Sequence, residues 1–302
     1  MKKNINISNI LLESSFKSKK IKKNSLFISR ELNKIFTNID KKKDTLHSLS
    51  KNFRLDFGEK YLKKYNKFST VIIIGMGGSI LGAKAIYYFL RHKIKKDFLF
   101  LDNLDKNKVR DLNKKKLKSV LFIIVSKSGN TIETLTNINL LKKMKLNLSN
   151  TILIAEDSNN AIMDISNSIK IPIIKHRKYI SGRYSVLSEA GMVPSYLMGL
   201  KIKNFRKNLL DYFKGQKKKL LTENVSKISE IYLSKKINSI VFFNYSSQLS
   251  EFMYWCQQLL GESLGKKGKG LLPIVSTGPK DHHSLLQLYL DGPKDKFFYV
   301  IS

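Results

Sequence analysis

Short apolar runs with no charge inside them constrain this chain most. VIIIG (Val71–Gly75) and SVLFIIV (Ser119–Val125) are rich in β-branched residues and have no polar alternation. A strand with one wet face alternates, whereas an uninterrupted run suits a strand covered on both faces. DFLFLD (Asp97–Asp102), TILIA (Thr151–Ala155) and KIPII (Lys170–Ile174) repeat the signal. Helical patterns follow two of these runs, over Ser79–Arg91 and from about Thr131 to Met144. Strands that alternate with helices imply parallel crossovers and an α/β layered fold.

Val186–Leu200 reads as an apolar helix, and Asn204–Ser234 as a long basic helical region joining two halves. The rhythm then restarts. Strands are expected at Ser239–Tyr245, Leu271–Ser276 and Lys296–Ser302, with helices at Ser247–Leu260 and Asp281–Leu290. Three regions result: a polar helical segment over 1–45, a first α/β domain over 46–200, and a linker helix with a second unit over 201–302. That second α/β unit begins near residue 235 and is short for a layered sandwich. The expectation is an incomplete second domain whose strand KFFYVIS is a central strand of an unfinished sheet, with open edges.

The 302 residues carry 56 basic and 23 acidic side chains, a formal charge of +33. Such a balance suits nucleic acid, an anionic surface or a phosphorylated substrate. The lysines are spread along the chain, in company with abundant isoleucine and asparagine, and neither a basic arm nor interleaved aromatics is evident. A compositional origin is therefore the better reading, and a nucleic-acid partner is not expected. The single cysteine, Cys256, excludes a disulfide framework and a cysteine zinc cluster. It fits a reducing, cytoplasmic setting. Val71–Leu90 has the length of a membrane span but divides into strand, glycine loop and helix. No membrane association is expected.

The first strand runs into Gly75-Met76-Gly77-Gly78-Ser79-Ile80-Leu81-Gly82. Glycines at a strand-to-helix turn let backbone N–H groups face an anion. Ile80 occupies the place where a dinucleotide fingerprint needs glycine, so a nicotinamide cofactor is disfavoured. The stretch Gly261–Lys266 fails as a phosphate-binding Walker loop in both spacing and hydroxyl. The third strand ends in Ser126-Lys127-Ser128-Gly129-Asn130-Thr131. Hydroxyls and a lysine at a helix start suit a phosphate monoester, and open parallel sheets bind ligands at strand carboxyl ends. These hydroxyls equally suit a helix cap.

GMGGSILG (75–82), SKSGNTIET (126–134), SGRYSVLSEAG (181–191), QLLGESLGK (258–266) and STGPKDHHSLLQL (276–288) occur in the order found in glucose-6-phosphate isomerases. Over about residues 70–290 the chain resembles that family. The resemblance implies a three-layer α/β sandwich with a parallel sheet, the sugar-isomerase (SIS) fold, in two domains. It implies aldose–ketose isomerisation of glucose 6-phosphate and fructose 6-phosphate, in glycolysis and gluconeogenesis, through a cis-enediolate and with no metal or redox cofactor.

The resemblance also assigns residues. Glu262 falls at the general base, in a cleft expected to be poor in water. Arg183 falls at the arginine that stabilises the enediolate, and His283, rather than its neighbour His282, at the ring-opening histidine. Ser126, Ser128 and Thr131, with Lys127 beside them, match phosphate-binding positions. Gly77, Gly78 and Ser79 belong to the glycine loop, and Gln258 stands one helical turn before the base. In the family the histidine reaches a partner subunit's site, so a homodimer is implied. A lysine that the family carries further on has no counterpart among these residues. The competing reading is a sugar-phosphate-binding module without catalysis, or an inactive isomerase. Glu262, Arg183 and His283 together favour the enzyme, because a binding module has no use for a base.

Overall fold

A computed structural model describes residues 18–41, 43–114, 119–141, 144 and 146–302. Helix α1 (Ser18–Asn38) comes first, then the short helical turn α2 (Glu59–Leu62). Five strands follow: β1 (Thr70–Ile74), β2 (Asp97–Leu101), β3 (Val120–Val125), β4 (Thr151–Ala155) and β5 (Ile173–Lys175). Helices α3 (Leu81–Phe89), α4 (Lys106–Lys114), α5 (Ile132–Leu140) and α6 (Ala161–Ile169) connect them in turn. The chain continues through α7 (Glu189–Leu197), α8 (Ile202–Arg206) and α9 (Gly215–Leu233). It then forms β6 (Ser239–Asn244), α10 (Ser250–Leu264), β7 (Leu272–Thr277), α11 (Leu286–Asp291) and β8 (Lys296–Ile301).

The first five strands form one parallel sheet in the order β2-β1-β3-β4-β5. Its uncharged runs are explained by two cores. Val71 and Ile73 of β1, with Leu121, Ile123 and Val125 of β3, face Ile80, Ala83 and Tyr87 on the α3 side and Val193 and Leu197 of α7. The alternate residues Ile72, Ile74, Phe122 and Ile124 face Val109, Leu112, Ile138 and Ile162 of α4, α5 and α6. Both faces of β1, β3 and β4 are dry, which is why no polar alternation is visible there.

The order reverses between β1 and β3: from β1 the chain crosses to β2 on one side, and β3 lies on the other. Ligand crevices of open α/β sheets form at such a switch point, beyond the strand carboxyl ends. The two polar loops, 75–82 and 126–131, leave from these neighbouring ends. The second sheet, in the order β7-β6-β8, is also parallel.

Several expectations are corrected. Helices α4 and α6, short and each with buried apolar residues facing the sheet, were not anticipated. The expected helix over 204–234 is broken: Asn208 takes φ +62° and Gly215 φ +52°, and a 3-10 turn (Leu209–Phe213) lies between α8 and α9. The apolar helix expected from Val186 begins only at Glu189, because Gly182–Leu187 forms a 3-10 turn. In the second sheet, β8, from the KFFYVIS run, pairs with β6 on one side among the described residues. Of the segment 1–45, residues 1–17 lie outside the described residues. Val71–Leu90 forms β1, the glycine loop and α3, and no helix among the described residues is long and apolar enough to cross a membrane.

His176, after β5, is 3% exposed. Burial pushes its pKa down to about 4, and nearby Lys127 adds to this, against opposing contributions from the Arg177 carbonyl and Glu156. The unfolded chain therefore takes up this proton first on acidification. Native stability falls as pH drops from about 6.5 to about 4, and the contribution is flat above that window. Urea titrations should show wild type losing roughly 2–3 kcal/mol more than His176→Gln between pH 7 and pH 4. Equal pH slopes for the two proteins would contradict this.

Candidate active site

Glycine permits the approach that builds the site. A Cβ on Gly75 would stand 2.8 Å from the carbonyl oxygen of Val125, so the ends of β1 and β3 touch backbone to backbone. A Cβ on Gly78 would lie 2.2 Å from the carbonyl carbon of Gly182 and 2.4 Å from the amide nitrogen of Arg183. The Ser185 hydroxyl donates to the Gly78 carbonyl at 3.1 Å. The glycine loop thus lies directly against the 3-10 turn that carries Arg183. Gly77, at φ +50°, faces α10: a Cβ there would meet Gln258 Nε2 at 2.8 Å.

Arg183 gathers the remainder. Its Nη1 donates to Glu262 Oε2 and to Ser181 Oγ, both at 3.2 Å. Its Nε donates to Ser263 Oγ at 2.9 Å, and Ser263 Oγ also meets the Tyr184 hydroxyl at 2.9 Å. The Trp255 indole donates to the Arg183 carbonyl at 3.1 Å. Gln258, one turn before Glu262 on α10, donates from Nε2 to Glu262 Oε1 at 2.8 Å. Both oxygens of the Glu262 carboxylate are therefore oriented, one by an amide and one by a guanidinium. The Glu262 side chain is 50% exposed and that of Arg183 18%. Glu262 does not lie in the water-poor cleft that was expected.

The neighbouring loop is held from behind. Gly129, at φ +69°, abuts Asn160, whose side-chain oxygen a Cβ would meet at 2.0 Å. Asn160 caps α6 through the Met163 amide, and the Ala161 amide donates to Asn130 Oδ1 at 2.9 Å. Ser126 Oγ and Thr131 Oγ1 are 3.0 Å apart. Thr131 precedes α5 without capping it, so its hydroxyl serves the loop rather than the helix. Ser128 is exposed and accepts from the Asn130 amide at 3.3 Å. Lys127 turns to Glu156, at 3.4 Å, and its charge is engaged there.

The structure brings Gly77, Gly78, Arg183, Gln258 and Glu262 together, and holds Ser126, Ser128 and Thr131 at the adjoining strand end. Ser79 lies in the glycine loop, its Cβ 3.2 Å from where a Gly75 Cβ would stand. His283 does not join them. It is exposed in the 3-10 turn after β7, while His282 meets the Tyr245 hydroxyl at 2.6 Å. Sequence reasoning missed Ser181, Ser263, Trp255 and Asn160. Ser181 and Ser263 lie inside the motifs quoted above, but nothing in their identity marks them as anchors of Arg183. Burial pushes the Cys256 thiol up to about 11, which leaves it a poor nucleophile. Among the described residues no group of His, Cys, Asp and Glu is arranged to hold a metal ion.

The family model for phosphoglucose isomerase matches residues 19–277. The chain belongs to the phosphoglucose isomerase family. It is 37% identical over 245 residues to the glucose-6-phosphate isomerase of Methanocaldococcus jannaschii, covering 79% of this chain and 61% of that protein. It is 32% identical to a probable glucose-6-phosphate isomerase of Methanococcus maripaludis, over 97% of this chain and 68% of that one. The chain thus spans about three fifths of the first relative's length. A crystal structure of a hypothetical protein from Thermus thermophilus superposes with a TM-score of 0.77 at 22% identity, over 93% of this chain and 72% of that one. A glucose-6-phosphate isomerase from Chlamydia trachomatis gives 0.63 at 20% identity, over 97% of this chain and 56% of that one. These likenesses establish the sugar-isomerase fold of parallel sheets that the motifs implied.

The close approach at Gly78 is directly testable. Gly78→Ala places a methyl group into the backbone of Gly182 and Arg183, which has no rotamer to yield. A loss of about 1–3 kcal/mol in urea denaturation is expected. Gly58→Ala, with nothing within 4 Å of the added carbon, should change stability by only about 0.5 kcal/mol. Equal effects of the two substitutions would contradict the contact.

Proposed function

We propose that this chain carries the isomerisation chemistry of glucose 6-phosphate and fructose 6-phosphate. The observation that supports it most is the Glu262 carboxylate, held at 2.8 Å by Gln258 and at 3.2 Å by Arg183 beside the glycine loop. Aldose–ketose interconversion needs one proton moved between adjacent carbons. Glu262 takes the proton from C2 of the open-chain aldose, and the electron pair left behind forms the enediolate. The protonated carboxyl then returns the proton to C1 while the proton of the O2 hydroxyl passes to O1, so C2 becomes the carbonyl carbon and atoms and electrons balance within the substrate. A base that serves both carbons must keep its orientation through the step, and the Gln258 amide supplies that restraint.

Arg183 faces the charge that grows on the enediolate oxygens. Its position is fixed in advance by Ser181, Ser263 and the packing of its backbone on Gly78, so little reorganisation accompanies the reaction. Ser126, Ser128 and Thr131, with the open amides at the start of α5, suit the phosphate. Lys127 contributes there only by leaving Glu156. His283, apart from the cluster within this chain, suits ring opening in the site of a second copy, and a homodimer with shared sites follows from that reading.

A coupled assay of fructose 6-phosphate conversion, with calorimetric binding, tests the assignment. Glu262→Gln should bind the sugar phosphate nearly as wild type does and lose about a hundredfold or more in kcat. Retention of more than about a tenth of the wild-type rate would remove Glu262 from the role of base. Binding by wild type with no turnover would favour a non-catalytic sugar-phosphate module.

Ser128→Ala should act differently. A phosphate contact made equally in ground and transition states raises KM and leaves kcat nearly unchanged. A fall in kcat at constant KM would instead place this loop in the chemistry.

A further inference from the structure

Helix α10 meets the first half of the chain along one stripe. Glu251, Trp255, Gln258 and Glu262 recur at helical spacing and share a face. Each finds a partner in the first half. Glu262 meets Arg183, Gln258 lies against Gly77, and Trp255 donates to the Arg183 carbonyl. These three contacts belong to the site above. The fourth does not: Glu251, in the first turn of α10, meets the ammonium of Lys84 at 3.2 Å.

Lys84 stands in the first turn of α3, the helix that the glycine loop leads into. Its Nζ also lies 2.7 Å from Asp102, just beyond the carboxyl end of β2. The three side chains are 19%, 22% and 19% exposed, and line a small cleft with Leu81, Tyr254, Gln257 and Gln258. Burial opposes the charge of Lys84, but Asp102 and Glu251 outweigh it and hold the ammonium above the usual lysine range. One cation thus joins the first sheet, the helix after the glycine loop and the helix of Glu262.

We propose that Lys84 is a positioning residue: braced by Asp102, it fixes the first turn of α10 through Glu251 and thereby sets Gln258 and Glu262 against Gly77 and Arg183. The consequence for catalysis rests on the isomerase reading above; the consequence for the placement of α10 does not. Substitutions at the three positions differ in kind. Removing the lysine leaves two half-buried carboxylates facing each other, which destabilises strongly. Neutralising Glu251 leaves the Lys84–Asp102 pair intact and releases only α10.

Trp255 is the one tryptophan of the chain, so its fluorescence reports on α10 directly. For Glu251→Gln the expected result is a rise of about twofold or more in acrylamide quenching of Trp255, with faster amide exchange over residues 258–262. In the coupled assay kcat should fall about tenfold or more, with KM for fructose 6-phosphate nearly unchanged, since small misplacements of catalytic groups are costly. Lys84→Arg, which keeps the charge between both carboxylates, should retain wild-type quenching and rate. Lys84→Met should exceed Glu251→Gln in effect, and if it fails to fold, Glu251→Gln still decides. Unchanged quenching and exchange in Glu251→Gln would overturn the proposal. So would altered quenching with an unaltered kcat, or a lost rate with unaltered quenching. A wild-type protein without turnover would count against the isomerase reading alone; raised quenching and exchange in Glu251→Gln would then still support the placement of α10, and unchanged values would overturn it.

Discussion

The candidate site depends on backbone laid against backbone. Gly75 against Val125 joins the two strand ends, and Gly78 against Gly182 and Arg183 sets the 3-10 turn on the glycine loop. A Cβ at either position would stand within 3 Å of the facing backbone, so the layers would have to shift apart. Arg183 then has a fixed origin, and its guanidinium can span Ser181, Ser263 and Glu262 without the loss of freedom that a mobile arginine would incur. The glycines, usually read as an anion cradle, serve here first as spacers that are not there.

The second dependence is electrostatic. Glu262 is half exposed, so its orientation comes from partners rather than from enclosure. Ion pairs at this exposure contribute little to stability, and the value of the Arg183–Glu262 pair lies in geometry. At the start of α10 the pairs are more enclosed: Lys84 ties Glu251 to Asp102, with all three side chains about one fifth exposed. Helix α10 has its other face on the second sheet, where the Gln257 amide donates to the Pro273 carbonyl. The helix that carries the proposed base is thus shared between both halves, and movement of one against the other would be felt at Glu262.

Much of this was legible in the sequence, for physical reasons. Strands β1, β3 and β4 are covered on both faces and so read as uninterrupted apolar runs. Helices α4 and α6 were not legible, because α4 is mostly lysine, asparagine and aspartate around Val109 and Leu112, and the apolar residues of α6 are interrupted by aspartate, serine and asparagine. The break between α8 and α9 rests on left-handed backbone at Asn208, which local sequence does not demand. Among candidate site residues, the family resemblance assigned Glu262, Arg183 and Gln258, but it did not carry the exposure of Glu262. The stripe Glu251-Trp255-Gln258-Glu262 could have been read from spacing alone. Its partners could not, since Lys84, Gly77 and Arg183 are distant in the chain. Lys127 was grouped with the hydroxyls by adjacency, and the structure turns it to Glu156.

The central claim is that Glu262 moves a proton between two carbons of a sugar phosphate. Deuterium incorporation at C1 of fructose 6-phosphate, followed by proton NMR in heavy water, measures that step without a coupling enzyme. The account predicts stereospecific loss of one C1 proton signal with wild-type protein and almost none with Glu262→Gln. Equal incorporation by both proteins, or none with wild type while fructose 6-phosphate is bound, would contradict it.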